Sequence, residues 1–162
     1  MNKTSLSDQE KKEVMKRMRS DPKTDFVDLI IEMKKKQRRK VNGNTNLINV
    51  DTITPVVNVG AVTTSRADIV DVTAEYCAKI NSLIIANIDG TNAADITVEV
   101  STDNGSSYVK IANTISVPAD SSLSLIGKDN GFYLDETDLL AVTASANSDL
   151  TYLVSYELMK DA

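Results

Sequence analysis

The stretch INSLIIANIDGTNAADITVEVS, residues 80–101, decides how the rest of the chain is read. In its second half Ile96, Val98 and Val100 alternate with Thr97, Glu99 and Ser101. A period of two puts the first set on one face of a β-strand, turned inward, and the second set on the other. Its first half belongs to a longer strand over residues 76–88, with Ile80, Ser82, Ile84 and Ala86 on one face and Leu83 and Ile85 on the other. Asp89-Gly90-Thr91-Asn92 lies between the two halves. Those residue types favour turn backbones, so the stretch reads as two strands joined by a turn.

The same grammar continues on both sides. Residues 68–73 alternate as a strand just upstream. Downstream, Asp103-Asn104-Gly105 is a hairpin turn after which Tyr108, Val109 and Ile111 return. Residues 115–117 end at Pro118; residues 122–126, 132–134, 139–145 and 150–159 follow, with polar turns between them. In the last, Leu150, Tyr152, Val154, Tyr156 and Leu158 share a face. Short strands in series, uninterrupted by a helical pattern, predict a mainly β fold: an antiparallel β-sandwich or jelly roll over residues 67–162.

The upstream residues differ in kind. Residues 1–40 hold 13 Lys and Arg against 7 Asp and Glu, a net of +6, whereas residues 41–162 carry a net of −11. Ser7 and Glu10 fit a capping box opening a first helix over about residues 8–19. Asp21 and Pro22 open a second, over residues 22–39, on which Phe26, Leu29, Ile30 and Met33 fall at i, i+3, i+4 and i+7. That stripe packs either on the chain's own β domain or in a neighbouring subunit's groove. Lys34, Lys35, Lys36, Arg38, Arg39 and Lys40 gather at the helix end, where cations complement the dipole. The run suits an anionic partner: an acidic protein surface or, alternatively, nucleic-acid phosphates. No aromatic is interleaved with the charges and no base-reading motif accompanies them, which counts against nucleic acid.

Residues 41–66 read as an extended connector, punctuated by Gly43, Pro55 and Gly60, with at most short strands near 55–59 and 61–64. Leu47, Ile48, Val50, Ile53, Val56, Val57 and Val59 make it more apolar than a solvated linker requires. Such a segment is expected to order against a partner. The partner-binding set predicted from sequence is therefore the stripe, the basic run, and Leu47, Ile48, Val50 and Ile53.

Little here supports catalysis. The chain has no histidine, the commonest general base and a common metal ligand. The single Cys77 sits in a strand with nothing to activate it and reads as a buried, inert thiol. Serines occur, but no G-x-S-x-G elbow and no grouped-glycine phosphate loop. Asp103, Asp129, Asp135, Glu136, Asp138 and Asp149 sit in turn contexts, where an Asp side chain bonds nearby backbone. Converging loops could instead hold Ca²⁺, although no EF-hand spacing exists. No run of about 18 apolar residues offers a membrane-spanning helix. The expectation is a non-enzyme without a cofactor, made in a reducing cytosol.

Five pieces of the β region carry a resemblance. They are Ser82–Asn87 as S-L-I-x-A-N, Thr97–Val100 as T-V-x-V, and Ile115–Leu123 as I-x-x-P-A-x-x-S-L. The others are Leu134–Leu139, a compact form of an L-x-E-x-D-x-L corner, and Ser155, Tyr156 and Glu157 on the final strand. Over residues 67–159 the chain resembles the β-sandwich structural proteins of tailed-bacteriophage virions. That resemblance implies a capsid decoration protein or a neck or tail accessory. It further implies other virion proteins as partners, homo-oligomers, and a location in the virion after assembly in the host cytoplasm. It brings no catalytic residue and does not reach residues 1–66. A host-surface or carbohydrate-binding module is the alternative, for which Tyr108 and Tyr133 are the candidate platforms.

Overall fold

The computed structural model describes residue 16 and residues 50–161. The chain divides into two units, Met1–Gly43 and Asn44–Ala162, and every described strand belongs to the second. The predicted helices over residues 8–19 and 22–39 lie outside the described residues, apart from Lys16.

The described strands are β1 (Val50–Ala61), β2 (Ala67–Asp71), β3 (Tyr76–Asn87), β4 (Ala94–Ser101), β5 (Val109–Val117), β6 (Ser122–Ile126), β7 (Phe132–Leu134), β8 (Leu139–Ala144) and β9 (Leu150–Asp161). They form two antiparallel sheets, a β-sandwich. Sheet A runs β1-β9-β3-β6, with β7 also paired to β3, and sheet B runs β2-β8-β4-β5. The core lies between them. Ile80, Leu83, Ile85, Leu150 and Val154 from sheet A meet Ile96, Val98, Val117, Leu140 and Val142 from sheet B.

β1 differs from the sequence expectation. Two short strands in a connector are replaced by one twelve-residue strand, paired with β9 from Val50↔Asp161 to Ala61↔Thr151. The backbone of this segment has its partner within the same sheet, while the side chains of Ile53, Val57 and Val59 are left exposed. Pro55 is accommodated because β1 is an edge strand, where a missing N–H is tolerated. Asn58 ties this edge to sheet B by donating to the Ile69 carbonyl at 3.0 Å.

Three further differences appear, the first two of which come from irregular registers. In β3 the ladder to β9 slips between Ile80 and Ser82, so Ile80 faces the core together with Leu83 and Ile85 rather than opposite them. One extra residue inverts the alternation on one side of a bulge. Residues 109–117 form one strand, not two, with register shifts against β4 and Thr114 at φ 46°. In β4, Glu99 and Ser101, expected to face solvent, are 5% and 1% exposed.

The motif residues at one end of the sandwich work as fasteners. Asn87, 3% exposed, donates to the carbonyls of Asn92 and Val117 (both 2.9 Å) and accepts from the Asp89 amide at 2.9 Å. It thereby satisfies backbone groups that burial would otherwise leave costly. The Pro118–Ser121 turn locks onto the same place: the Asn87 amide donates to the Ser121 carbonyl at 2.8 Å and the Asp120 amide to the Asp89 carbonyl at 3.2 Å. At the corner after β7, the Thr137 amide donates to the Val72 carbonyl at 2.7 Å and the Val72 amide to the Asp138 carbonyl at 3.1 Å.

Candidate interaction surfaces

The carboxylates of Asp89, Asp103, Asp135 and Asp138 are occupied by groups of their own loops, as their residue types predicted. Asp103 accepts from the Ser107 amide (2.8 Å), the Ser107 hydroxyl (2.6 Å) and the Ser101 hydroxyl (2.8 Å). These donors hold its pKa below the ordinary carboxylate value, the Ser107 hydroxyl first. Asp89 accepts from the Asn92 side chain and the Thr91 amide, with the same consequence. At the β7–β8 corner, Asp138 accepts from the Asp135 amide at 2.9 Å, and Asp135 from the Glu136 amide at 2.9 Å. Asp138 is 9% exposed, and burial pushes its pKa up. Among the described residues no group of three or more acidic or Cys side chains is placed to hold a metal ion.

Cys77 lies against Met159 in the β3–β9 ladder, with 5% exposure. Burial, reinforced by the charges of Asp135 and Asp138, pushes its thiol up to about 11. The nucleophile is the thiolate, so the thiol of the folded chain is inert near neutrality. We expect a chromogenic disulfide reagent to leave Cys77 unmodified in the folded chain and to titrate one thiol after denaturation. Rapid modification without denaturant would contradict this placement.

Glu99 was read as a solvated strand residue. It is buried because Arg66 covers it: Nε donates to Oε2 at 2.8 Å and Nη2 to Oε1 at 3.4 Å. The guanidinium lies 4.0 Å from the Tyr108 ring centroid, and the Tyr108 hydroxyl donates to Asp68 at 2.9 Å. The hydrogen bond to Glu99 is the main reason the Arg66 pKa is raised. A forked arginine against a covered carboxylate is a strong pair, and here it pins the beginnings of β2 and β5 to β4. Tyr108 is thus engaged within the fold, whereas Tyr133 is 53% exposed.

Among the described residues, two apolar surfaces are exposed. On the outer side of sheet A, Val59, Leu153 and Ile84 lie directly opposite one another across β1, β9 and β3. They are 63%, 37% and 39% exposed, and Val57, two residues from Val59, is 63% exposed. They border a shallow depression of about 490 Å³ that also involves Ala86 and Tyr152. The second is a groove of about 290 Å³ between β5 and β7, lined by Val109, Ile111, Phe132 and Tyr133 together with Thr102 and Asp138.

Of the predicted partner-binding residues, Phe26, Leu29, Ile30, Met33, Lys34, Lys35, Lys36, Arg38, Arg39, Lys40, Leu47 and Ile48 lie outside the described residues. Val50 opens β1, half-buried, and Ile53 follows in it, 59% exposed. Sequence reasoning singled out Val57, Val59 and Tyr133 one by one but not the surfaces they form with Leu153, Ile84, Val109 and Ile111. A row of exposed apolar residues on alternating strand positions looks the same, residue by residue, as a row facing the core.

No family model and no curated protein matches the chain. Similar solved structures include a Bacillus endospore appendage protein from a family of disulfide-linked pili, at 15% identity and a TM-score of 0.43, over 68% of this chain and 88% of that one. They include a pentameric capsid protein isolated from metagenomic phage sequences, at 17% identity and a TM-score of 0.30, over 71% of this chain and 67% of that one. They also include a xylanase 10B of Clostridium thermocellum comprising CBM22-1 and GH10 modules, at 14% identity and a TM-score of 0.31, where 28% of that chain is covered. The solved structures similar to this chain thus range from a phage capsid protein and a pilus protein to a carbohydrate-active enzyme.

Proposed function

We propose that this chain is a non-enzymatic structural protein of a tailed-phage virion. Its β unit is the body, and the segment before Val50 attaches it to neighbouring virion proteins as a capsid decoration or as a neck or tail adaptor. The observation that carries the reading is the row Val59–Leu153–Ile84 with Val57: apolar side chains in register on the solvent side of a well-formed sheet. Contiguous apolar surface of this kind marks contact with another macromolecule more often than chemistry. Three other features agree. The strand order, with β6 and β7 sharing one edge position, is that of a jelly roll, an architecture used in viral capsid proteins. The carboxylates of Asp89, Asp103, Asp135 and Asp138 are engaged with loop groups. The virion-type motif residues Asn87, Pro118 and Asp138 act as fasteners of the fold.

The extent of β1 decides how attachment is tested. Removing residues 1–66 would take away an entire strand of sheet A, so the truncation must end at residue 49. The chain beginning at Val50 is expected to keep the strand content of the β unit in circular dichroism and to lose co-purification with particles. Truncated protein retained on particles at full occupancy would overturn the reading. Copy number then separates the two locations, because a shell decoration repeats over the whole capsid lattice whereas a neck or tail part forms a single ring. A specific hit on a glycan array would instead favour the carbohydrate-binding alternative, with Tyr133 as its exposed ring.

A further inference from the structure

We propose that the outer face of sheet A is where a second copy of this chain docks. The two sheets A pack face to face about a two-fold axis that runs along the strands, between β9 and β3. Leu153 then meets the partner's Ile84, and Lys79 meets the partner's Glu157. This rests on the reading given above and deepens it, by naming what the row Val59–Leu153–Ile84 touches.

The apolar row is the middle of a larger neutral field. From Ala61–Thr151–Ala86 to Val57–Ser155–Ser82, successive rows on the outer side of β1, β9 and β3 carry no charged side chain. Small and β-branched side chains let two sheets approach to about 10 Å, with their strands within about 30° of each other. The face is four strands across and twelve residues long on β9, roughly 19 Å by 40 Å. That is of the same order as the ~800 Å² each partner buries in a standard interface.

Charge selects the occupant. Residues 41–162 carry a net of −11, so two copies repel each other through most of this unit's surface. On the outer face of sheet A the next row, Pro55–Glu157–Lys79, holds one anion and one cation, directly opposite each other on β9 and β3. Among the described residues neither is joined in an ion pair. The proposed axis exchanges the two positions, so the anion of each copy meets the cation of the other. It exchanges Leu153 and Ile84 in the same way. A face complementary to itself is what a two-fold contact requires. Residues 1–40 carry +6, and these rows offer them a single carboxylate with a lysine opposite it.

Topology favours a face over an edge. β1, at one edge of sheet A, carries Pro55, which has no N–H to offer a further strand. β5, at one edge of sheet B, pairs with β4 through two register shifts, and bulges of that kind twist an edge away from flat pairing. Both long edge strands are thus poor templates for adding a strand from another copy, whereas the rows on the outer side of sheet A stay in register from β1 to β3.

The test is sedimentation of the full chain and of charge-reversed forms of it. The native chain is expected to form a dimer. Lys79→Glu and Glu157→Lys each bring like charges together across the axis, and each should weaken the dimer about tenfold or more. Mixing the two variants should restore it, because opposite charges then meet at both contacts. Leu153→Glu, at a part-exposed position, should also weaken the dimer, whereas Val109→Glu in the β5–β7 groove should not. The proposal is overturned if the full chain is monomeric, or if the two charge reversals associate like the native chain. It is equally overturned if their mixture is no tighter than either alone, or if Val109→Glu is the change that separates the copies. A monomeric chain that still joins particles overturns the dimer and leaves the proposed function standing. A dimer that passes the charge exchange but never joins particles upholds this contact and removes the virion role.

Discussion

Leu83→Ala is expected to destabilise the β unit by about 3–5 kcal/mol, the upper part of the range for leucine truncation in a rigid core. Leu83 is fully buried, and its neighbours in the cluster include Ile80, Ile85 and Val154, which are fully buried too. It sits just past the register slip of β3, with Val154 opposite it on β9 and Ile126 opposite it on β6. Strands paired on both sides cannot collapse to fill the space, so the cost of the cavity adds to the lost transfer energy. Leu153→Ala is the internal comparison. Leu153 is 37% exposed on the outer face of sheet A, one residue from Val154. Its truncation should cost about 1 kcal/mol or less. Urea unfolding of the full chain followed by tyrosine near-ultraviolet circular dichroism measures both. Against a total of some 5–15 kcal/mol for a domain of this kind, Leu83→Ala should visibly lower the midpoint. Equal losses for the two variants would mean that the two faces of sheet A have been assigned the wrong way round.

Gly131→Ala is expected to cost about 2–3 kcal/mol through overpacking. A Cβ at this position would stand 2.6 Å from the Ile80 carbonyl oxygen. The obstacle is backbone, in the strand that holds β7 through Ala78↔Leu134, Lys79↔Tyr133 and Ile80↔Phe132. No side-chain rotation relieves it, so β7 must move away from β3 or the bulged part of β3 must give. Gly60→Ala makes the contrast. There the added Cβ meets the Tyr152 ring at 2.9 Å, and a ring can tilt. Its cost should be smaller by at least 1 kcal/mol, roughly the difference between moving a backbone and moving a side chain. Hydrogen exchange adds a local readout: Gly131→Ala should speed exchange of the β7 amides before those of β4 or β8. A smaller loss for Gly131→Ala than for Gly60→Ala would rule out the close approach of the two backbones.

Much of the strand pattern was legible because alternation is local. β4, β6, β7, β8 and β9 begin where the sequence places them and end within two residues of it, since each is a short alternating run closed by turn residues. The role of the turn carboxylates was legible for the same reason, because Asp103 and Asp89 bond groups within four residues of themselves. β1 was not. Pro55 and Gly60 argue for interruption when the segment is judged alone, and only a full-length partner, β9, makes one strand of it. The faces of β3 were misassigned for a related reason: a bulge is a property of two strands in register, and one strand carries no mark of it.

By itself, then, the sequence determined the class of fold, the number and spacing of most strands, and the separation of a basic segment from an acidic body. All of these follow from period, turn chemistry and charge read along one chain. Tertiary structure decided which apolar residues are core and which are surface, and that Glu99 is covered by Arg66, thirty-three positions away. It also decided that the sandwich is left open between β5 and β7, where Val109 and Ile111 remain exposed beside Asp138. Those outcomes depend on which strand lies opposite which, and residues distant in sequence settle that only when the sheets close on each other.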